Sequence, residues 1–450
     1  MKIKFLGAAG TVTGSSYVLT SGSGQSILID LGMFLGTQKI DALNYDPYDF
    51  DCTKLSGAIL THAHLDHCGR LPILLPKGFT GNIWMTPSTL ELTEVSLIDS
   101  AKLAKYQEKS HILFDTNLAE QTFARFKTTQ YHTPVTIGNF MITMKDAGHI
   151  LGSALLEIVD SSADSEIKKI VFSGDLGNSP EDLLKETELV DDADAVVMES
   201  TYGDRLHPGE ISSDALLSEI QAIESSGGTL LIPAFALDRT QELLHMIMHL
   251  KKDGKIQAQT PIFLDNPMAE KATYIYDKYP TIFNDHIQSE FISNNPFTFP
   301  GLEIISKGKD SKRLHATPGP KVIIAGSGMM TGGRVLGHAA HYLPIASTRL
   351  FIVGYQGEET LGRALMEGEK LVTIDRVPVP VNCTVGNTQA MSSHADQKQL
   401  LQWLKHIKNV KKVFLTHGED GPRTSLSQKI SENLGLTDVT MPVMNQEIRL

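Results

Sequence analysis

The chain has 450 residues, 41% of them hydrophobic and 20% charged, which excludes a disordered or fibrous protein and leaves room for two or three globular domains. Forty Lys and Arg against 52 Asp and Glu give a formal net charge of −12, which excludes nucleic-acid binding through the overall field. A polyanionic substrate therefore needs a local attractor such as bound metal. No apolar run reaches the roughly 18 residues that cross a bilayer, and Gly7, Gly10 and Gly14 break the apolar start. Cys52, Cys68 and Cys383 form no CxxC pair, which fits a reducing compartment. A cytoplasmic protein without a membrane partner is expected.

In chain order, KIKFLGA, YVLT and SILIDLGMF are predicted strands separated by glycine-rich turns, and GAILTHAH is a fourth strand ending in polar residues. Pro87 to Phe126 has helical spacing. Strands resume at FMITMKDAGH, ALLEIVDS, KIVFSGDLG and AVVMEST. After Thr201 the style changes: helices are predicted over 210–225 and 239–252, with strands at TLLIPAF, PIFLD, KVIIAGSG and RLFIVGYQG. Strands alternating with helices predict an α/β layer with its own sheet. A turn-rich strand region from Val377 to Met391, a helix from Ala395 and the strand KKVFLTHGE follow. The two styles interleave, so one domain is predicted to be inserted in another, with boundaries 1–205, 206–388 and 389–450.

The strongest chemical signal is His-Ala-His-Leu-Asp-His at 62–67, directly after a strand. His62 and His64, two apart on an extended end, can aim at one ion, and Asp66 and His67, past the bend, at a second; imidazole and carboxylate are ordinary zinc ligands. His149, Asp175 and His417 each lie at the end of a predicted strand and complete two coordination shells; Asp30 in ILIDLG sits similarly. Singly, each such residue is as well explained by a surface hydrogen bond or a turn cap. In the predicted insert, Arg239, Arg334 and Arg363 follow strand ends or glycine turns and are candidates to grip phosphate in forked hydrogen bonds, and Ser327 and Gly328 could offer backbone N–H groups. His338 and His341 are expected to make surface or interdomain contacts.

The order Asp30, HAHLDH, His149, Asp175 resembles the motif series of the metallo-β-lactamase fold. Glu199 in MESTYGDR, His394 in SSHAD and His417 in LTHGE resemble the later motifs of its β-CASP branch, which includes the RNA-cleaving subunit of the polyadenylation machinery and bacterial and archaeal homologues. The resemblance implies an α/β protein, an αββα sandwich with an inserted α/β β-CASP domain. It also implies two zinc ions, one held by His62, His64 and His149 and the other by Asp66, His67 and His417, with Asp175 bridging and Asp30 supporting the ligands; Mn²⁺ is also admissible. It implies His394 as general acid, oriented by Glu199. Family members that act on DNA typically lack a histidine at the place of His417, so single-stranded RNA is the implied partner, cut internally or from the 5′ end. A homodimer is an open expectation. Two rival readings are a non-catalytic scaffold and a small-molecule hydrolase of the same fold.

Overall fold

Largely buried apolar strands build the first two sheets of the computed structural model, which describes all residues except 48, 107–111, 163–166, 180–181 and 210–211. The chain divides into two compact units, Met1–Leu206 with Ser393–Leu450, and His207–Ser392.

In the first unit, strands β1 (Lys2–Phe5), β2 (Ser16–Thr20), β3 (Ser26–Leu31), β4 (Leu55–Ile59), β5 (Ile83–Met85) and β6 (Phe126–Thr128) lie side by side in that order, with β22 (Glu447–Arg449) on the outer edge of β1. A second sheet runs β21 (Val439–Thr440), β20 (Lys412–Leu415), β11 (Ala195–Met198), β10 (Lys169–Phe172), β9 (Ala154–Asp160), β8 (Phe140–Asp146), β7 (Val135–Ile137). Both sheets mix pairing: β3 to β6 are mutually parallel, as are β10, β11, β20 and β21, while the remaining neighbours are antiparallel.

The inner faces meet through Ile3, Phe5, Tyr17 and Ile29 from one sheet and Phe140, Ile158, Phe172 and Phe414 from the other. On the outer face of the first sheet, Leu28 and Leu60 pack with Leu97 and Ala101 of the Pro87–Tyr106 helix. On the outer face of the second, Val171 and Val196 pack with Trp403 of the Gln397–His406 helix and Leu426 of the Asp420–Leu434 helix. The layering is therefore αββα, each sheet buried on both sides.

The second unit is organised on a wholly parallel sheet in the order β14 (Leu302–Ile304), β13 (Ile262–Asp265), β15 (Lys321–Ala325), β12 (Thr229–Pro233), β16 (Arg349–Ile352), β19 (Thr384–Asn387). A hairpin of β17 (Leu371–Ile374) and β18 (Val377–Pro380) accompanies it. Strands β12 and β15 are buried at every position, as parallel strands covered on both faces must be.

The predicted strands are present, with two differences. The single helical stretch over 87–126 is two helices, Pro87–Tyr106 and Thr116–Phe123, and Phe126 begins β6. Asp115 caps the second by accepting from Leu118 N, which restarts the helix. Residues 107–111 of that stretch, and 210–211 of the helix predicted at 210–225, lie outside the described residues. The Asp420–Leu434 helix had no counterpart in the sequence reading; its buried Pro422, Arg423, Leu426 and Ile430 give only a thin apolar stripe.

One carboxyl in this frame is buried and shifted upward. Asp146, at the end of β8, accepts from Gly148 N at 2.9 Å. Burial, and then Glu188, push its carboxyl up to about 7 against the pull of that hydrogen bond and of Lys185. The folded value lies above the unfolded one of roughly 4. The protonated acid thus favours folding below that unfolded value, and the contribution is lost as pH rises through about 7. Asp146→Asn, which keeps the acceptor for Gly148, is expected to flatten this dependence: the wild-type urea midpoint should fall between pH 5 and pH 8 by more than the variant's, as denaturant titrations at both pH values would show.

Candidate metal centre

The ends of several core strands turn inward at one place in the first unit. After β4 the chain runs extended through Thr61 and His62 to His64, whose carbonyl accepts from His67 N and Cys68 N and so starts the short Leu65–Cys68 helix. The end of β3 packs so close to this helix that a Cβ on Gly32 would lie 1.6 Å from the Asp66 carbonyl oxygen; only glycine fits there. After β10, Gly174, in the left-handed region at φ +55°, turns Asp175 inward. Asp30 and His417 themselves take left-handed backbone at φ +54° and +49°, a strained conformation for non-glycine residues that tends to persist where function holds it. The fold fixes His417 there through its N–H to Ala8 O and its carbonyl to Ser200 N.

Hydrogen bonds decide which ring nitrogen each histidine presents. His67 Nδ1–H donates to Asp30 Oδ2 at 2.8 Å, and Asp30 also accepts from Thr61 N and Thr61 Oγ1, each at 2.8 Å. With its proton given to Asp30, Thr61 Oγ1 accepts from His62 Nδ1 at 3.1 Å. His149 Nδ1 donates to Ser393 O at 3.0 Å. Thr201 Oγ1 donates to the His417 carbonyl and accepts from His417 Nδ1 at 3.0 Å. The Nε2 lone pairs of His62, His67, His149 and His417 are thereby left for the interior.

There they converge. His64 Nδ1 lies 3.1 Å from His62 Nε2 and 3.2 Å from His149 Nε2. Asp175 Oδ2 lies 3.4 Å from His62, 3.3 Å from His67 and 3.7 Å from His149, all at Nε2, while its Oδ1 lies 3.6 Å from His417 Nε2. Asp66 Oδ2 is 3.3 Å from His417 Nε2 and 4.0 Å from His67 Nε2. Among the described residues, the donors fall into His62, His64, His149 and Asp175 on one side and Asp66, His67 and His417 on the other.

The electrostatics call for cations. Burial lowers His62 and His149 well below the usual imidazole value and His64 to about 4, so they are neutral donors. Burial also acts to raise Asp66 and Asp175, but neighbouring histidines outweigh it, with His417 leading in both: Asp66 falls to about 2 and Asp175 well below the usual carboxylate value. Burial likewise opposes a charge on His67, yet Asp175 and Asp30 overcome it and drive that imidazole well up. Meanwhile His67 Nε2 and Asp175 Oδ1 are buried with no hydrogen-bond partner. Neutral imidazoles facing each other, carboxylates held ionised and two orphaned inward atoms fit divalent metal of zinc type.

Beside these donors, His394 Nδ1 lies 3.2 Å from both oxygens of Glu199, whose Oε1 also accepts from Leu176 N at 2.6 Å. Burial acts to lower His394, but Glu199, then Asp175 and Asp66, raise it to about 9. The rings of His394 and His149 are 4.5 Å apart. Residues 195 positions apart in sequence are thus an ion pair at the edge of the donor set.

The candidates in the other unit behave differently. Arg239 is buried and ion-paired with Glu242, which corrects the expectation that it meets phosphate: its charge is neutralised inside the fold. Arg334 is held by Asp265, Ile305 O and Ser306 O, again an internal role. Arg363 pairs with Glu367 four residues on. Ser327 Oγ bonds within its own turn to Thr331 N and Gly332 O, and a Cβ on Gly328 would lie 2.6 Å from the Phe235 ring, so packing alone accounts for that glycine. His338 is not a surface residue; it is buried and bonded to Asp265 at 2.7 Å. The sequence reading missed Thr61, Thr201 and the Ser393 carbonyl; their place inside THAHLDH, ESTYG and SSHAD was the available signal.

Fold and site together define a metallo-hydrolase of the αββα type, and comparison with known proteins agrees. Residues 9–142 match the metallo-β-lactamase superfamily, 240–365 the Beta-Casp domain and 378–442 the Zn-dependent metallo-hydrolase RNA specificity domain. Ribonuclease TTHA0252 of Thermus thermophilus is 36% identical over 96% of both chains. The transcription termination factor FttA of Methanocaldococcus jannaschii is 29% identical over 93% of this chain and 67% of its own. Cleavage and polyadenylation specificity factor 73 of Drosophila melanogaster is 30% identical over 95% of this chain, which spans 61% of that relative. A crystal structure of a protein of unknown function from Enterococcus faecalis V583 shares the fold with a TM-score of 0.54 at 10% identity, covering 100% of this chain and 99% of its own. The chain belongs to the β-CASP family of the metallo-β-lactamase superfamily, a metallo-β-lactamase domain with an inserted β-CASP domain.

Asp30 touches no other inward donor than His67, so its effect on metal is indirect. Asp30→Asn is expected to weaken metal binding about 10- to 100-fold while leaving every donor in place, as competition with a metallochromic chelator would measure.

Proposed function

We propose that this chain is a ribonuclease that uses two zinc ions to hydrolyse phosphodiester bonds of single-stranded RNA, cutting internally, from the 5′ end, or both. The convergent donor set with Glu199–His394 at its edge carries the reading. The relatives named as a ribonuclease and as a cleavage factor supply the substrate class. His62, His64 and His149 would hold one ion and Asp66, His67 and His417 the other, with Asp175 between them. Two such ions supply Lewis acidity: they make a water acidic and neutralise charge on the phosphodiester.

The remaining work falls to the chain. Asp30, Thr61, Thr201 and the Ser393 carbonyl hold the imidazole rings in place and fix their tautomers. Glu199 keeps a proton on His394 and fixes the ring through Nδ1, so the proton handed to the leaving oxygen comes from Nε2. A scaffold would not need the full donor set to survive, and here it does. Among the described residues no helix is long and apolar enough to cross a membrane. The proposal takes the protein as cytoplasmic, admits Mn²⁺ in place of zinc and is compatible with a homodimer.

Single-stranded RNA labelled at either end, incubated with and without chelator, tests the proposal. Cleavage should be chelator-sensitive and absent from Asp175→Ala; unchanged cleavage by a metal-depleted Asp175→Ala protein overturns it. His394→Ala should keep its metal content yet lose about 10²- to 10⁴-fold in turnover. Loss of metal on that change would make His394 a ligand instead.

A further inference from the structure

The His207–Ser392 unit carries a second donor cluster that shares no residue with the centre described above. His245 and His249 are four apart on the Arg239–Lys252 helix, and His286 and Glu290 four apart on the Asp285–Ser293 helix, so each pair lies on one helical face. The two faces converge. Glu290 Oε2 lies 3.0 Å from His245 Nε2, and Glu290 Oε1 lies 2.7 Å from His249 Nε2 and 3.4 Å from His286 Nε2. His245 and His249 also point the same atom at each other, Nε2 to Nε2 at 3.0 Å.

Three imidazoles turned by Nε2 onto one carboxylate make a poor hydrogen-bonded cluster, because two Nε2 atoms in contact can share only one proton. They make a good cation site. Around a zinc ion with ligands at about 2.0–2.1 Å, tetrahedral neighbours are about 3.3 Å apart. The 2.7 Å contact must open by about 0.6 Å and the two 3.0 Å contacts by about 0.3 Å to meet that. Two histidines at i and i+4 on a helix are a recurrent zinc-binding spacing. The donor chemistry favours zinc, cobalt or nickel over magnesium or calcium, which prefer all-oxygen shells. Side-chain exposure rises from 4% at His245 through 29% at His249 to 71% at His286, which gives an ion a path in from solvent.

We infer that His245, His249 and Glu290, with the exposed His286 at the rim, form a separate binding site for a zinc-class divalent cation, which ties these two helices together.

The test counts metal on the full-length protein loaded with zinc and then freed of excess by gel filtration. His249→Gln and Glu290→Gln should each hold about one zinc fewer per chain than wild type while still cleaving RNA, so that retained cleavage certifies the fold. His286 is too exposed for its loss to disturb the core, and His286→Gln should lower zinc affinity at that site by about tenfold or more. Metal content equal to wild type in both buried-side variants, with unchanged affinity in His286→Gln, overturns the inference. Failure of the ribonuclease reading would show separately, as absent cleavage with the zinc difference intact.

Discussion

Asp175 is fully withdrawn from water, and an ionised carboxylate in that position costs several kcal/mol unless partners compensate. Its partners are four imidazoles, three around Oδ2 and one beside Oδ1, drawn from the ends of different strands. None of these imidazoles makes sense alone: each is buried, each has its outer nitrogen bonded to an acceptor, and each turns its inner nitrogen toward the same few ångströms. The arrangement is self-consistent only with positive charge at the centre. In the chain by itself a proton on His67 supplies part of it, since His67 is the inner histidine driven upward. Bound metal would replace that proton, and Asp175 Oδ1 and His67 Nε2 are the buried atoms left without a hydrogen bond that would help to hold it.

The fold serves this constraint by bringing strand ends together. Parallel pairing of β10, β11 and β20 puts the segments carrying Asp175, Glu199 and His417 at the same edge of one sheet, since each follows its strand directly. Parallel pairing of β3 with β4 does the same for Asp30 and His62 in the other sheet. The large apolar core between the sheets, with Phe5, Phe140, Phe172 and Phe414, then fixes the two edges against each other. Precision at the site therefore rests on rigid elements, with strained backbone at Asp30 near the end of β3 and at His417 just past β20.

Legibility in the sequence followed the range of the interactions. HAHLDH could be read directly, because its geometry is set within one strand end and one helical turn. The interleaved second style was also readable, from buried parallel-type strands alternating with helices, whereas the αββα layering came only from the resemblance. The Glu199–His394 pair was not readable from spacing and came only from resemblance, because their contact depends on how β11 and the segment before the Gln397–His406 helix are placed. Arg239 and Arg334 misled for the same reason: an arginine after a strand looks available until the structure supplies Glu242 and Asp265. His245 and His249 were visible as a four-residue spacing, but nothing in the sequence said that His286 and Glu290 would face them.

The position of His394 separates its role from that of the other histidines nearby. It lies within ligand reach of Asp175 and His417, so proximity alone would admit it as a further metal ligand. Two features argue otherwise. Its Nδ1 faces both oxygens of a carboxylate rather than a carbonyl or hydroxyl, so the partner stabilises a charged ring where Ser393 and Thr61 stabilise neutral ones. And its pKa moves up to about 9 while those of His62, His64 and His149 move down. Burial presses on all four rings in the same direction, so the difference is the neighbouring charge. His67 shares both features through Asp30, but it is only 3% exposed and its Nε2 is buried beside Asp175, whereas His394 is 20% exposed at the edge of the donor set, where the proposed acid has to meet substrate.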